Sequence, residues 1–388
     1  MSFGSGGTYT QVSGAITAAA GQVIQSAVWN NIHTDLGNSL TALGTCLVTN
    51  PVPRNMVSAN GGLEIWQRDA GGAASIAVTA STTAYTADRW YIATGANQAF
   101  TVSQQTGLIT GSRWCARVQR NAGQTGVGAV VFGYPFDSDG ISRMRGKKVS
   151  LTFAASTGAD WSPATGTLTA TLYVGTGAVS KRGAGFTNET AVVAVASNIA
   201  ASTAAAIYGA ISSAVVPATA AQAELQFTWT PVGTAGANDW FALDDVMIDA
   251  SPAPDLGFQT AYERLPFDLM LYRCKRHFWK TFPYATAPAQ AAGAGTGELY
   301  GMAGKAGATA QFLPFRHPVS MRATPTAVTL YSPATASAQV YDETAATYST
   351  SSSYSGLTSE GGYITATGAA GAAVGDLLGI HLVVDAGI

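Results

Sequence analysis

The residues of this chain best suited to chemistry are aromatic rings, adjacent carboxylates and four histidines. No two histidines have the spacing of a metal-binding motif, and the sequence contains neither a nucleophile elbow nor a phosphate-binding loop. A flat aromatic ring can stack on the apolar face of a sugar while polar neighbours bind its hydroxyls. The candidate ligand-binding rings are Trp90, Tyr91, Trp114 and Trp161. Because most large aromatic residues in a β-sandwich are core residues, burial is the alternative interpretation for each.

The adjacent acids Asp244 and Asp245 lie in a β-rich segment that ends near Asp249. A glycosidase needs two carboxylates facing one cleft. Neighbouring residues of a strand point to opposite faces, so we expect that these two acids cannot serve one site. Asp244 alone is a candidate calcium ligand together with loop oxygens, and a local hydrogen bond is the alternative. The sequence therefore predicts no catalytic residue and no cofactor other than this structural calcium.

The charge content of the chain is unusually low. Only 11% of the 388 residues are charged, and the net charge is −2. So little positive charge argues against a general nucleic-acid binder, and the 47% hydrophobic content argues against intrinsic disorder. A low-charge surface limits the solubility of a monomer, so we expect much of it to be covered by copies of the chain or by partners. Three widely spaced cysteines, Cys46, Cys115 and Cys274, predict buried, reduced thiols.

One long uncharged stretch, residues 191–222, requires a test for membrane insertion. Its apolar residues are mostly alanine, it is diluted by Ser, Thr and Asn, and it has no flanking Lys or Arg clusters. We therefore predict weak strands and a loop here, and no membrane insertion. The first residues also lack the features of a signal peptide.

The N-terminal segment, residues 1–55, combines a Gly- and Ser-rich leader with one predicted helix. Apolar residues recur at spacings of three and four, which places them in one narrow stripe. The stripe consists of Ile24, Val28, Ile32, Leu36, Leu40, Leu43 and Leu47. Its width favours a parallel bundle with copies of the same helix, and packing on the next domain is the alternative.

The rest of the chain is predicted to be mainly β. Short β-branched or aromatic runs separated by turn residues predict a jelly-roll β-sandwich over residues 56–252 and a second, C-terminal β-sandwich over residues 281–388. Residues 253–280 are predicted to form a linker and a helix. Pro266 fits the first helical turn, and the predicted apolar face consists of Phe267, Leu271, Cys274 and Phe278.

Four motifs in this order resemble tail-fibre proteins of tailed bacteriophages and prophages. The first runs from Asn60-Gly61 to Trp66-Gln67-Arg68, and the second ends in Ala87-Asp88-Arg89-Trp90. The third runs from Glu263-Arg264-Leu265-Pro266 to Cys274-Lys275-Arg276-His277-Phe278, and the fourth is Phe315 to Thr326. Lys275 replaces the family's Gln, and His277 with Phe278 replaces a Tyr pair. The strand around Asp244 also resembles the last strand of a jelly roll similar to carbohydrate-binding modules.

The resemblance, over roughly residues 56–388, implies a structural virion protein that is homotrimeric and is assembled in the cytoplasm of the bacterial host. It implies attachment to other virion proteins through the N-terminus and to a host-surface glycan or protein, with no enzyme residues to transfer. Two alternatives stay open: a head or neck decoration fibre, and a glycan-cleaving depolymerase. We expect the C-terminal loops, including residues 349–356, to face outward.

Overall fold

The computed structural model describes residues 54–70, 74–163, 166–250, 262–293, 295–368 and 372–387. The chain divides into two compact units, Met1–Pro53 and Arg54–Ile388, and every described residue belongs to the second. The predicted N-terminal helix lies outside the described residues, as does the linker up to residue 261. The predicted boundaries near residues 252 and 280 fall within the second unit and stay predictions.

The first part of this unit, here called the sandwich, contains twelve strands and a short helix, as the β-rich pattern predicted. They are β1 (Ser75–Val78), β2 (Thr83–Tyr85), β3 (Tyr91–Ala93), β4 (Phe100–Thr106), β5 (Trp114–Arg120), β6 (Val130–Pro135), α1 (Ser138–Met144), β7 (Ser150–Thr157), β8 (Thr167–Gly175), β9 (Thr190–Asn198), β10 (Ala206–Ile211), β11 (Gln222–Trp229) and β12 (Trp240–Asp249).

Two six-stranded antiparallel sheets form the sandwich. The first has the order β1-β4-β5-β12-β7-β10 and the second β2-β3-β6-β11-β8-β9. Alternate residues of each strand fill the core between them, for example Leu225, Phe227 and Trp229 of β11. The mainly β fold class is therefore confirmed.

The uncharged stretch 191–222 contributes to both sheets. It forms most of β9, all of β10 and the first residue of β11, so the prediction of strands and a loop is confirmed. Among the described residues, no helix is both long and apolar enough to cross a membrane.

The remaining elements form a second body, here called the C-terminal lobe, preceded by a helix. They are α2 (Phe267–Lys275), β13 (Phe278–Lys280), β14 (Leu299–Met302), β15 (Ala310–Arg316), β16 (Ala327–Tyr331), β17 (Tyr341–Asp342), β18 (Thr347–Tyr348), β19 (Ser351–Ser355), β20 (Gly361–Thr367) and β21 (Leu377–Asp385).

Strand β21 organises the C-terminal lobe because β13, β14, β16 and β17 all pair with it. A separate three-stranded sheet has the order β15-β20-β19. Leu313 and Ile364 of this sheet share a core with Ile380 and Leu382 of β21. The lobe is therefore a second sandwich, as predicted.

Helix α2 differs from the sequence prediction in length and in its buried face. It ends at Lys275, and Phe278 belongs to β13. Met270 and Cys274 are buried, whereas Phe267 is 39% exposed. The predicted face is wrong at Phe267 because the helix packs toward Ala59 and Ile65 of the sandwich through Met270 and Cys274.

Candidate functional site

Two of the four predicted ligand-binding rings lie in the core of the sandwich. Trp90 is fully buried, stacks on Phe132 with ring centroids 5.0 Å apart, and donates a hydrogen bond from Nε1 to the Asn60 carbonyl. Trp161 is buried against Trp229 at 4.6 Å. Neither ring presents a face to a ligand, so the core interpretation is correct for both. Trp114 is half-buried beneath the Arg113 guanidinium, 5.5 Å from its ring, and stays a candidate.

Tyr91 points outward, onto the solvent side of the second sheet. Its hydroxyl donates to Oε1 of Glu224 at 2.5 Å, and Gly133 lies opposite it on β6. A Cβ at Gly133 would lie 2.7 Å from Cε1 of Tyr91, so glycine is needed for the ring to lie against the sheet. Tyr173 of β8 lies on the same face, opposite Glu224. The face thus combines aromatic rings with a carboxylate, which is chemistry suited to a sugar.

The loop of residues 176–189, here called the strap, covers this face. Lys181 Nζ lies 4.1 Å from the Tyr85 ring centre and 5.3 Å from that of Tyr91. The Arg182 guanidinium lies 3.8 Å from the centre of Tyr173. Two cations of the strap therefore occupy the ring faces on which a sugar would stack, and Tyr91 is only 3% exposed.

The strap is held by specific polar contacts. Arg182 binds Glu189 with two hydrogen bonds of 2.7 and 2.8 Å, and its backbone N–H donates to Glu224 at 2.8 Å. Nε2 of Gln222 donates to the Ala178 carbonyl at 2.7 Å. In this structure the face is therefore closed by the protein itself.

Asp244 does not fit a calcium site. Its two carboxylate oxygens accept hydrogen bonds of 2.8 Å from the Leu108 backbone and the Ser112 hydroxyl. Among the described residues, no group of three or more His, Cys, Asp or Glu side chains could hold a metal. Asp244 instead positions the turn at residues 108–112.

The expectation that Asp244 and Asp245 face opposite sides is wrong. The register shifts between Asp244 and Met247, and Asp245 adopts a φ of 47°. This bulge turns both acids toward each other. Burial and the neighbouring Asp244 charge raise the pKa of Asp245 to about 7, although Arg264 binds Asp245 at 2.5 Å. Arg264, which sequence reasoning did not assign, thus offsets only part of the effect of burial and mutual repulsion on this acidic pair.

The motif residues converge where the sandwich meets the C-terminal lobe. We call this region the joint, which comprises Gln67, Arg68, Asp88, Arg89, Asp137, His277, Phe278, Arg322 and Asp385. Gln67 donates from its backbone and its side chain to Asp88, and from Nε2 to the Phe278 carbonyl at 3.0 Å. Arg68 pairs with Asp385 at 3.0 Å. Burial raises the pKa of Asp88 to about 6.

His277 links three elements at the joint. Arg89 Nη1 lies 2.6 Å from Nδ1 of His277, and Asp137 Oδ2 lies 3.4 Å from Nε2. Because an arginine can only donate, Nδ1 accepts and the ring proton lies on Nε2, toward Asp137. The described motif residues here make structural contacts between the two bodies.

An exposed group of tyrosines lies on the C-terminal lobe, and sequence reasoning missed it. The strand register places Tyr300 and Tyr341 on either side of Gly379, and Tyr348 beside Tyr341. Directly opposite residues of antiparallel strands share a face, so the three rings lie in one row across the sheet, with Gly379, which has no side chain, between Tyr300 and Tyr341. We call this feature the Gly379 pit. Tyr300 is 42% exposed and Tyr348 51%.

Two glutamates complete the pit. A Cβ at Gly379 would lie 2.8 Å from Oε1 of Glu343 and 3.4 Å from Cγ of Glu298. Glu298 is buried and accepts hydrogen bonds from the Tyr300 hydroxyl at 2.7 Å and from the Gly295 and Thr296 backbones. Burial opposes its ionisation, but these hydrogen bonds prevail and lower its pKa to about 2. Burial and the Glu298 charge raise the pKa of Glu343.

The residues of the pit are far apart in sequence and have no shared motif. Tyr300, Tyr341, Tyr348 and Gly379 come from four strands. Only the pairing of β14, β17 and β18 around β21 brings them together. No periodicity within one strand could have revealed the site.

No protein-family model and no curated protein matches the chain. Similar solved structures include the tailspike protein 4 enzymatically active domain of bacteriophage CBA120, at 15% identity and a TM-score of 0.29, covering 42% of this chain and 19% of that chain. They also include a cellulose-binding domain of Cellulomonas fimi β-1,4-glucanase C, at 20% identity and a TM-score of 0.23, covering 38% of this chain and 83% of that one. Another is the Caldicellulosiruptor saccharolyticus CBM27-1 in complex with mannohexaose, at 12% identity and a TM-score of 0.23, covering 39% and 82%. Similarities at this level carry no argument about function.

Proposed function

We propose that this chain is a non-enzymatic structural protein of a bacteriophage tail fibre that attaches to a glycan on the bacterial surface. The observation that carries the proposal is the Gly379 pit, where exposed Tyr300 and Tyr348 lie near two carboxylates. Rings supply flat apolar surfaces for sugar stacking, and carboxylates accept hydrogen bonds from hydroxyls. The four ordered sequence motifs support the assignment to a fibre.

The C-terminal lobe is better suited to this role than the sandwich. The strap covers Tyr91 and Tyr173 with Lys181 and Arg182. In contrast, Tyr300 and Tyr348 of the lobe are 42% and 51% exposed, and the neighbouring Met302 is 73% exposed. We therefore assign attachment to the lobe and a spacer role to the sandwich.

Binding to bacterial cells and to a panel of purified surface polysaccharides tests the assignment. Tyr300→Ala and Tyr348→Ala should each weaken binding about tenfold, which corresponds to roughly 1.4 kcal/mol. Tyr354→Ala is the matched control, because Tyr354 is 41% exposed but lies on β19, in the other sheet. Equal losses in all three variants, or no binding by the unmodified protein, would contradict the proposal.

Incubation of the protein with the same purified polysaccharides also distinguishes attachment from depolymerisation. Paired glycosidase carboxyl groups are about 5–5.5 Å or about 6.5–9.5 Å apart. Glu298 and Glu343 are instead close enough to hydrogen-bond when one is protonated. We expect no new reducing ends in the polysaccharide, and their appearance would revive the depolymerase alternative.

The proposal includes a homotrimer incorporated into the virion through the N-terminal segment. The narrow apolar stripe from Ile24 to Leu47 and the low charge content support self-association. Light scattering after size exclusion should give three times the chain mass, and a monomer over a broad concentration range would contradict it. Labelled protein should bind cells rather than capsids, whereas capsid binding alone would favour a decoration fibre.

A further inference from the structure

We propose that the C-terminal lobe binds the interior of a linear glycan chain, which lies across the strands along Tyr300, Tyr341 and Tyr348. We call these three residues the tyrosine row. The inference rests on the proposed glycan attachment and specifies the form of the glycan. The site takes an extended run of sugar units and does not depend on a terminal sugar.

The strand register sets the length of the tyrosine row. Tyr300 and Tyr341 lie on either side of Gly379, and Tyr348 lies opposite Tyr341. Because neighbouring strands are about 4.8 Å apart, the backbone positions of Tyr300 and Tyr348 are separated by about 14 Å. One strand spacing is close to the length of a pyranose unit in an extended chain. The row therefore matches about three or four consecutive sugar units.

Both ends of the tyrosine row lie on edge strands. Among the described residues, β14 pairs only with β21, and β18 pairs only with β17. The two end residues, Tyr300 and Tyr348, are 42% and 51% exposed. Within the described ranges no further strand continues this part of the sheet, so a chain along the row can extend past both ends. A site for a terminal sugar would instead be blocked at one end.

Two carboxyl groups fill the middle of the tyrosine row. A Cβ at Gly379 would lie 2.8 Å from Oε1 of Glu343, so this carboxyl group occupies the space that the missing side chain leaves. Glu343 and Glu298 hydrogen-bond each other through a shared proton, and Glu298 also accepts from the Tyr300 hydroxyl at 2.7 Å. The acids are therefore satisfied within the protein and need no charged ligand. The gap between Tyr300 and Tyr341 is thus occupied, so a sugar chain lies over it and does not insert end-on.

Stacking on separate rings makes the affinity depend on chain length. Each aromatic ring stacks on the apolar face of one sugar unit, and the paired strands hold the rings on one face of the sheet. Units added to a bound chain therefore gain contacts without the cost of a second association, until the row is covered. Further units gain nothing from the rings, and the chemical nature of the chain ends does not affect binding.

Calorimetric titration of the full chain tests this inference. The probes are whichever purified surface polysaccharide binds in the panel and its size-fractionated hydrolysis fragments, from single sugars to fragments longer than the row. The affinity should rise at least about tenfold between the disaccharide and the tetrasaccharide and then change less than about twofold. Chemical modification of either chain end should leave the binding of long fragments unchanged. Tyr348→Ala should make the affinity level off at shorter fragments. Phe312→Ala is the matched control, because Phe312 is 62% exposed but lies in the other sheet, and it should leave the length profile unchanged.

Every contrary outcome identifies which proposal fails. Equal affinity for single sugars and long fragments, or a loss of binding when a chain end is modified, would retain attachment and overturn the interior-chain inference. A length profile that is the same in Tyr348→Ala would place the chain away from the row and overturn the inference too. Absence of binding to every purified polysaccharide, or binding to cells that resists periodate oxidation of their glycans, would refute the proposed function itself.

Discussion

At the residue scale, His277 is a neutral link between the two bodies. Burial, and then the Arg89 charge, lower its pKa to about 3. Burial raises the pKa of Asp137, but the His277 hydrogen bond and the Arg89 charge outweigh this and hold it below its usual range. The imidazole therefore acts in this network as a fixed donor and acceptor over most of the pH range.

This arrangement predicts acid sensitivity. Because the pKa of His277 in the folded protein lies below the ordinary 6.5, the unfolded chain takes up the proton first as pH falls. The contribution of His277 is full above the ordinary pKa and is lost as pH falls toward about 3. The lowered pKa of Asp137 acts in the same direction.

His277→Gln tests this prediction, since an amide can accept from Arg89 and donate to Asp137 without titrating. Denaturant unfolding at neutral pH should show a small loss of stability, about 1–2 kcal/mol. The further loss on acidification should be smaller in the variant than in the unmodified protein. Parallel pH profiles for the two proteins would show that His277 is not the titrating group.

Single residues were predictable only where their environment is local. The sequence indicated that His277 departs from the Tyr of the related motif, but its partners Arg89 and Asp137 lie 188 and 140 positions away in sequence. The prediction placed Asp244 and Asp245 on opposite faces of their strand, whereas in the structure the two acids turn toward each other. One bulge residue with positive φ reverses the facing of its neighbours, and an Asp gives no clear signal of it.

At the element scale, the strap is the feature that distinguishes an open sugar face from a closed one. Its closure depends on Arg182, which contacts Tyr173, Glu189 and Gln226 at once. The side chain is only 23% exposed, so these contacts are partly shielded from solvent.

Arg182→Ala should open the strap. We expect faster hydrogen exchange and proteolysis over residues 176–189, with a loss of stability of about 1–2 kcal/mol. Arg113→Ala is the control, because Arg113 also lies over an aromatic ring, Trp114, but outside the strap. Unchanged exchange in Arg182→Ala would mean that the remaining contacts, including those of Lys181 and Gln222, hold the strap without the Arg182 side chain.

Elements were predicted well where β-branched and aromatic residues are dense and poorly where contacts between elements decide. Strand β12 follows from its β-branched and aromatic residues, whereas the stretch that contains β9 was predicted only as weak strands and a loop. The buried face of α2 did not follow, because Met270 packs on a sandwich segment that lies about 200 residues earlier. The strap was equally hidden, since nothing local shows that a loop folds back over a sheet.

At the scale of the whole described unit, the joint couples the sandwich to the C-terminal lobe. Gln67, Arg68 and Arg89 of the sandwich side bind Phe278, Asp385 and His277 of the other. Separation of the two bodies would expose these groups and would break hydrogen bonds of buried Gln67 and Arg89. The joint is therefore a rigid coupling rather than a hinge.

Unfolding of residues 54–388 should consequently be concerted. Hydrogen exchange measured by mass spectrometry under increasing denaturant should release the amides of β12 and β21 in one transition. Arg68→Ala, which removes the pair with Asp385, should lower the midpoint of that transition. If the amides of β21 exchanged at a clearly lower denaturant concentration than those of β12 in the unmodified protein, the two bodies would be independent domains, as the predicted boundaries imply.

Strand β21 carries a consequence for synthesis of the protein on the ribosome. It pairs with four strands that come earlier in the chain. The nearest of them, β17, ends at Asp342, 35 positions before β21 begins at Leu377. The first, β13, begins at Phe278, 107 positions before β21 ends at Asp385. Those strands emerge first, and the edges that pair with β21 in the folded protein stay unpaired until residue 385 has left the exit tunnel. A nascent chain that stalled before β21 would expose several strand edges at once. The order of translation thus makes the last described strand the step that protects the lobe from aggregation.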